Sequence, residues 1–159
     1  PRWGGEEDKI MGKRLLNDQV VKQVKEVFDS QLKQPVDVLF FGQQHECEYC
    51  DDTRQLAQEV TALSPKLSLH TYDLDQQADI ARQYGVDKSP TLVLTARDGE
   101  ITTDYGVRFA GIPSGHEFGS LIQSLILVSG RDSALDQKTR QALKELKEPV
   151  TLLVYVTPT

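Results

Sequence analysis

Apolar positions in residues 17–32 recur every three or four residues, and this period predicts an amphipathic helix. Asn17 or Asp18 can cap its start, and Pro35 ends it. Residues 36–41 are mostly β-branched and aromatic, which predicts a buried strand directly after the helix. The apolar face of the helix consists of Val20, Val21, Val24, Val27, Phe28 and Leu32.

Helical and strand periods alternate along the chain as far as residue 130. They predict a second helix, a second strand, a short third helix and a third strand at residues 51–63, 67–72, 76–84 and 90–95. Asp98-Gly99 then marks a hairpin turn into a fourth strand that runs to Phe109, with a break at Gly106. Strands that alternate with helices and end in a hairpin predict an α/β fold. Its mixed four-stranded sheet has helices on both faces.

The last third of the chain opens with a helix and then repeats the beginning. A capping box of Ser114 and Glu117 starts the helix, and Gly130 closes it. Ser133 can cap a further helix that ends at Pro149, 114 residues after Pro35. An apolar run at 150–156 predicts one more strand, which either begins a second unit or adds to the first sheet.

We therefore expect three parts: an N-terminal extension at 1–16, a domain at 17–130, and the start of a truncated second unit at 131–159. Met11 is a candidate initiator, and the predicted fold therefore does not include residues 1–10.

Cys47 and Cys50 are the only cysteines in the 159 residues, and they form a C-x-x-C between the first strand and the second helix. Cys47 is expected at or just before the first helical turn. The unpaired N–H groups and the helix dipole there stabilise a thiolate over a thiol. This placement is typical of a redox dithiol.

Two other interpretations of the cysteines remain open. A zinc site needs four ligands, of which the cysteines supply two and His45 a third, whereas His70 and His116 lie on separate predicted elements. A structural disulfide is the other alternative, although so small a loop constrains the unfolded chain little.

Charge and hydropathy narrow the functional classes. The net charge is −6, from 18 basic and 24 acidic residues without a basic cluster, which disfavours nucleic acid as a partner. No apolar run approaches 18 residues, so no membrane span is expected. The first residues contain no apolar signal core, so the protein is expected to be cytoplasmic if Pro1 is its natural start. In that compartment a single C-x-x-C is more often catalytic than structural.

These features together resemble a known family. The element order, the C-x-x-C at the first junction and Ser89-Pro90 before the third strand resemble the thioredoxin fold over residues 36–130. The Cys-x-Tyr-Cys form is similar to glutaredoxins. Residues 109–118, with the leading helix, resemble the amino-terminal unit of the tandem thioredoxin-fold protein disulfide oxidoreductases of thermophilic prokaryotes. Residues 156–159 resemble the segment before the second C-x-x-C of that family, which implies that the natural protein continues into a second unit.

The resemblance implies roles for individual residues. Cys47 matches the attacking thiolate and Cys50 the resolving thiol. A cis peptide before Pro90 would expose the backbone of Ser89 to a substrate strand. Gly111 either lets the substrate backbone approach or is a plain turn glycine. The residues implied to contact the substrate are Tyr49, Ser89, Pro90 and Gly111.

The chain also departs from thioredoxins. Thioredoxins carry a buried carboxylate six residues before the first cysteine, where this chain has Phe41. Asp37, at the start of the strand, is expected to be solvated.

The predicted function is thiol–disulfide exchange with protein substrates, served by a thiol-reducing electron donor. Two alternatives are a metal-binding or interaction module built from Cys47, Cys50 and His45, and the redox arm of a flavin-linked peroxide-reducing system. The chain contains no dinucleotide fingerprint, and no cofactor is expected.

Overall fold

The computed structural model of the chain describes residues 14–155. The predicted α/β order is confirmed, and the further helix predicted between Ser133 and Pro149 follows it. The elements are α1 (Asp18–Gln31), β1 (Val36–Gly42), α2 (Cys50–Thr61), β2 (Leu67–Asp73), α3 (Ala78–Gln83), β3 (Thr91–Asp98), β4 (Ile101–Ala110), α4 (His116–Gly130) and α5 (Gln137–Lys144). The predictions for residues 1–13 and 156–159 lie outside the described residues.

The four strands form one mixed sheet in the order β2-β1-β3-β4. β1 pairs in parallel with β2, while the β1–β3 and β3–β4 pairs are antiparallel. The predicted break at Gly106 is confirmed, because the register between β3 and β4 shifts there. Leu94 faces Val107, but Thr95 faces Asp104, so two residues of β4 bulge out of the ladder.

Helices cover both faces of the sheet, as predicted. Val36, Val38 and Phe40 of β1 pack into a core with residues of α1, α2 and α4. Leu39 and Phe41 point to the other face, where they pack with residues of and around α3. All seven residues of β1 are buried, as expected for a central strand covered on both sides.

Asp37 corrects one expectation, because its side chain is buried and paired rather than solvated. Only 5% of the residue is exposed. Arg97 Nε donates to Asp37 Oδ1 at 2.9 Å, and His70 Nε2 lies 3.5 Å from the same oxygen. Asp37 is opposite Thr95 on β3 and Ser68 on β2. Arg97 and His70 each lie two residues further along and therefore share its face of the sheet.

The predicted caps of the last two helices are wrong. Gly115, with φ +58°, is the N-cap of α4, and no side chain caps that helix. Ser114 lies one residue before the N-cap, and its carbonyl oxygen rather than its side chain accepts from Glu117 N–H at 3.1 Å. α5 is capped by Asp136 rather than Ser133, because the Asp136 carboxylate accepts both the N–H and the hydroxyl of Thr139. α4 does end at Gly130, as predicted.

The predicted strand at 150–156 does not form within the part that the structure describes, residues 150–155. These residues also pair with neither edge of the four-stranded sheet. Their apolar side chains are 65–87% exposed, and α5 before them buries no residue. A strand needs a ladder partner, and this segment has none among residues 14–155.

Candidate active site

The C-x-x-C lies where the sequence predicts it. β1 ends at Gly42, a short loop follows, and α2 begins at Cys50. A disulfide joins Cys47 to Cys50, with the two Cα atoms 5.4 Å apart. Cys47 precedes the turn that leads into the helix, whose backbone bonds start with Thr53 N–H donating to Tyr49 O at 3.0 Å. No side chain caps this helix, so its dipole acts on the cysteine loop.

The two sulfurs have different surroundings. Cys50 is only 2% exposed and belongs to the core between the sheet and the helices. Cys47 is half-buried and packs against the edge of that core. The backbone N–H of Gln43 donates to Cys50 Sγ at 3.4 Å. Cys47 is therefore the more accessible of the two cysteines.

Gly42 leaves the space that the buried sulfur occupies. A Cβ on this residue would lie 2.7 Å from the ring of Phe40 and 3.3 Å from Cys50 Sγ. Carbon atoms in ordinary contact are about 3.5–4.0 Å apart, so a larger residue would displace one of these groups. The absence of a side chain at Gly42 therefore lets the Phe40 ring and Cys50 Sγ pack closely against the end of β1.

The loop before β3 reaches the same end of the sheet. The Ser89–Pro90 peptide is cis, as the resemblance implies, and Pro90 is buried. Gly111 N–H donates to Pro90 O at 2.8 Å. Gly111 has φ +103°, and a Cβ there would meet no atom within 4 Å. This positive φ suits glycine in a turn, and the open space equally suits an approaching backbone, so both interpretations of Gly111 stand.

Tyr49 lies between the two cysteines, at the N-cap of α2. Its side chain is half exposed, with 49% of the residue accessible. The structure therefore brings all six residues singled out from the sequence to one end of the sheet. They are Cys47, Cys50, Tyr49, Ser89, Pro90 and Gly111.

Sequence reasoning missed two residues that join this end of the molecule. Ser89 Oγ donates to Gln43 Oε1 at 2.5 Å, and Gln43 Nε2 donates to Asp75 Oδ1 at 3.1 Å. Asp75 follows β2, so the side chain of Gln43 connects three loops. A glutamine carries no distinctive chemistry, and its partners are 32 and 46 residues away in the chain. Nothing in the local pattern could have identified it.

The expected departure from thioredoxins is confirmed at Phe41. Phe41 is fully buried and stacks on Tyr72 with 5.2 Å between the ring centroids. Asp37, the one carboxylate on β1, precedes Gly42 by five residues, or about 16 Å along the strand. It is therefore a structural partner of Arg97, remote from the disulfide.

Among residues 14–155, no three His, Cys, Asp or Glu side chains are grouped as metal ligands would be. Over the same residues no helix combines the length and apolar character needed to cross a membrane.

The fold, the disulfide at the start of α2 and the cis-proline loop define a thioredoxin-type redox domain. The family model described as thioredoxin matches residues 19–111. The chain therefore belongs to the thioredoxin family.

The relatives that this chain matches are larger proteins. The chain is 34% identical over 113 residues to an NADH dehydrogenase of Bacillus subtilis (strain 168), a match that covers 69% of this chain and 19% of that protein. It is 35% identical over 96 residues to the F subunit of alkyl hydroperoxide reductase from Staphylococcus aureus (strain NCTC 8325), covering 60% and 16% respectively. The chain thus spans less than a fifth of the length of these relatives.

Solved structures show the same similarity. A protein disulfide oxidoreductase from Aeropyrum pernix K1 matches with a TM-score of 0.71 and 27% identity, over 82% of this chain and 55% of that one. The NTD_N/C domain of alkylhydroperoxide reductase AhpF from Enterococcus faecalis (V583) matches with a TM-score of 0.70 and 26% identity, over 79% and 58%. With its Cys47–Cys50 pair, this chain is a thiol–disulfide oxidoreductase domain.

Proposed function

We propose that the domain exchanges disulfides with protein substrates, and that Cys47 is the attacking residue. The observation that carries this proposal is the unequal burial of the two cysteines, with Cys50 enclosed in the core and Cys47 half-buried at its edge. A nucleophile must meet its substrate in solution, whereas a resolving thiol needs to reach only its own partner.

The reaction proceeds in two balanced steps. The Cys47 thiolate attacks one sulfur of the substrate disulfide, forms a mixed disulfide and releases the other substrate sulfur as a thiolate. The Cys50 thiolate then attacks Cys47 Sγ, forms the intramolecular disulfide and releases the second substrate sulfur. Two electrons pass from the dithiol to the substrate, and the reverse sequence oxidises a substrate dithiol.

The surface around Cys47 supplies the substrate site in this proposal. Ser89 offers its backbone to an extended substrate segment beside the disulfide, next to buried Pro90. Gly111 leaves open space where a substrate backbone would pass, and the exposed ring of Tyr49 adds an apolar contact.

Insulin reduction tests the proposal. With dithiothreitol as the electron donor, the wild-type protein should reduce insulin, and Cys47→Ser should abolish turnover. Cys50→Ser should instead accumulate a mixed disulfide with the substrate, visible as a mass increase that dithiothreitol reverses. Full turnover by Cys47→Ser, or a mixed disulfide on Cys50 in that variant, would contradict the assignment.

A second candidate function is the redox arm of a flavin-linked peroxide-reducing system. The similarity to the F subunit of alkyl hydroperoxide reductase and to the AhpF NTD_N/C domain favours it. An AhpF-type flavoprotein lacking its own N-terminal domain, together with NADH, should then reduce the Cys47–Cys50 disulfide. Reduction by a thioredoxin reductase alone would favour a general disulfide oxidoreductase.

The cytoplasmic location stays a prediction.

Residues 131–159, we further propose, begin a second thioredoxin-like unit. Three observations support this: the 114-residue repeat, a helix α5 without buried residues, and the exposed apolar run at 150–155. Such a run is normally covered by protein. The gene should continue into a second C-x-x-C within about two codons of Thr159, as in the tandem arrangement that the sequence resembles. A stop codon there would refute the proposal.

A further inference from the structure

The side chain of Gln43 contacts both the cis-proline loop and the loop after β2, at the site of the disulfide. Its amide accepts from Ser89 Oγ at 2.5 Å and donates to Asp75 Oδ1 at 3.1 Å. Its backbone N–H donates to Cys50 Sγ at 3.4 Å. One residue therefore links the buried sulfur, the Ser89-Pro90 loop and the loop that leads to α3.

The chemistry of the partners fixes how the amide is oriented. An ionised carboxylate can only accept hydrogen bonds, so the Nε2 group of Gln43 must face Asp75. Its Oε1 must then face Ser89, whose hydroxyl is free to rotate and donates. If the amide group rotated by 180°, its oxygen would face the Asp75 carboxylate, and the hydrogen bond to Asp75 would be lost. This small network thus has one fully satisfied arrangement.

We propose that Gln43 is a positioning residue, which holds the Ser89-Pro90 loop in register with the Cys47–Cys50 pair for protein substrates. The inference rests on the proposed function, in which the backbone of Ser89 pairs with an extended substrate segment. Without the Gln43 amide, the loop loses its side-chain link to the cysteine loop, while the disulfide and its backbone contact remain. Pairing with a peptide backbone weakens, but the attack of Cys47 on a disulfide does not.

The proposal predicts a dependence on the kind of substrate. A protein disulfide such as that of insulin carries a backbone for Ser89 to pair with. A small aromatic disulfide such as 5,5′-dithiobis(2-nitrobenzoic acid) carries none. Removal of the Gln43 side-chain amide should therefore slow the reaction with insulin and leave the reaction with the small disulfide nearly unchanged.

Four variants test this in the whole chain: Gln43→Met, which keeps the length of the side chain but removes the amide, Ser89→Ala, their double variant, and Gln44→Met as the control. Gln44 is the next residue in the loop and is exposed. For insulin, kcat/KM of Gln43→Met should fall about threefold to tenfold, mainly through KM, as expected for one or two ordinary hydrogen bonds. The rate with the small disulfide should stay within about twofold of the wild-type rate.

The double variant separates positioning from general damage. If Gln43 and Ser89 act through their shared bond, the double variant should lose little more activity on insulin than the worse single variant. Equal loss on both substrates, no loss on insulin, or a loss matched by Gln44→Met would overturn the inference. Absence of insulin reduction by the wild-type protein would overturn the proposed function itself, which is a distinct result.

Discussion

Gly42→Ala tests how tightly the core encloses the buried sulfur. The added Cβ would meet two ring carbons of Phe40 at 2.7 Å, while ordinary contacts begin near 3.4 Å. The ring must therefore retreat by about 0.7 Å to reach ordinary contact. Phe40 is fully buried within the main core, so its neighbours would have to move with it.

The expected cost combines two opposing terms. Forcing one extra carbon into a packed core costs about 1–3 kcal/mol. Replacing a strand glycine by alanine returns roughly 0.5–1 kcal/mol, because the unfolded chain loses freedom. We expect a net destabilisation of about 1–2 kcal/mol, which corresponds to a melting temperature lower by roughly 3–8 °C.

Urea unfolding of the oxidised protein, followed by circular dichroism, measures this difference. Gly119→Ala in α4 is the matched control, because a Cβ there would meet no atom within 4 Å. That variant should gain up to about 1 kcal/mol, the usual difference between glycine and alanine in an exposed helix. A Gly42→Ala protein as stable as the wild type would show that the ring yields freely and would refute the packing explanation.

Three further variants test particular contacts by chemical denaturation. The buried hydroxyl of Thr53 has no hydrogen-bond partner, so Thr53→Val should stabilise the protein by about 1 kcal/mol, and a loss of stability would contradict this. Arg97→Leu should cost about 1.5–3 kcal/mol, the usual value for a hydrogen bond to a charged group, by leaving buried Asp37 without its closest cation. Its rate with a small disulfide should not change, and a slower rate would disprove the structural role. Burial raises the pKa of Glu59, but hydrogen bonds from two backbone N–H groups before α1 and from Gln55, together with the charge of Arg14, outweigh it and hold the pKa below 4.5. The difference in free energy of unfolding between the wild type and Glu59→Gln should be largest above pH 4.5. It should disappear as the pH falls through the lowered pKa, because the carboxylate is then protonated in the folded protein as well. A pH-independent difference would contradict this.

The sequence predicted the order of the elements well, because each element has a local cause. The 3.6-residue period of α1 and the continuous apolar run of β1 reflect how each segment must bury its own side chains. The predicted boundaries agree with the structure to within a few residues, and Asn17 does cap α1 by accepting from Val20 N–H at 2.9 Å. The caps of α4 and α5 were not predictable, because several polar residues compete there and the entering backbone selects among them.

The sequence alone determined that a C-x-x-C lies at the junction of a central strand and a helix, since adjacency along the chain and local periodicity are enough to establish it. Only the tertiary structure decided which residues from distant parts of the chain meet, at the disulfide and elsewhere. Asp37 is buried because β2 and β3 bring His70 and Arg97 over it. Gln43 meets Ser89 because the strands align their ends. These contacts join residues that are tens of positions apart, and their distances follow from sheet order and register rather than from any local pattern.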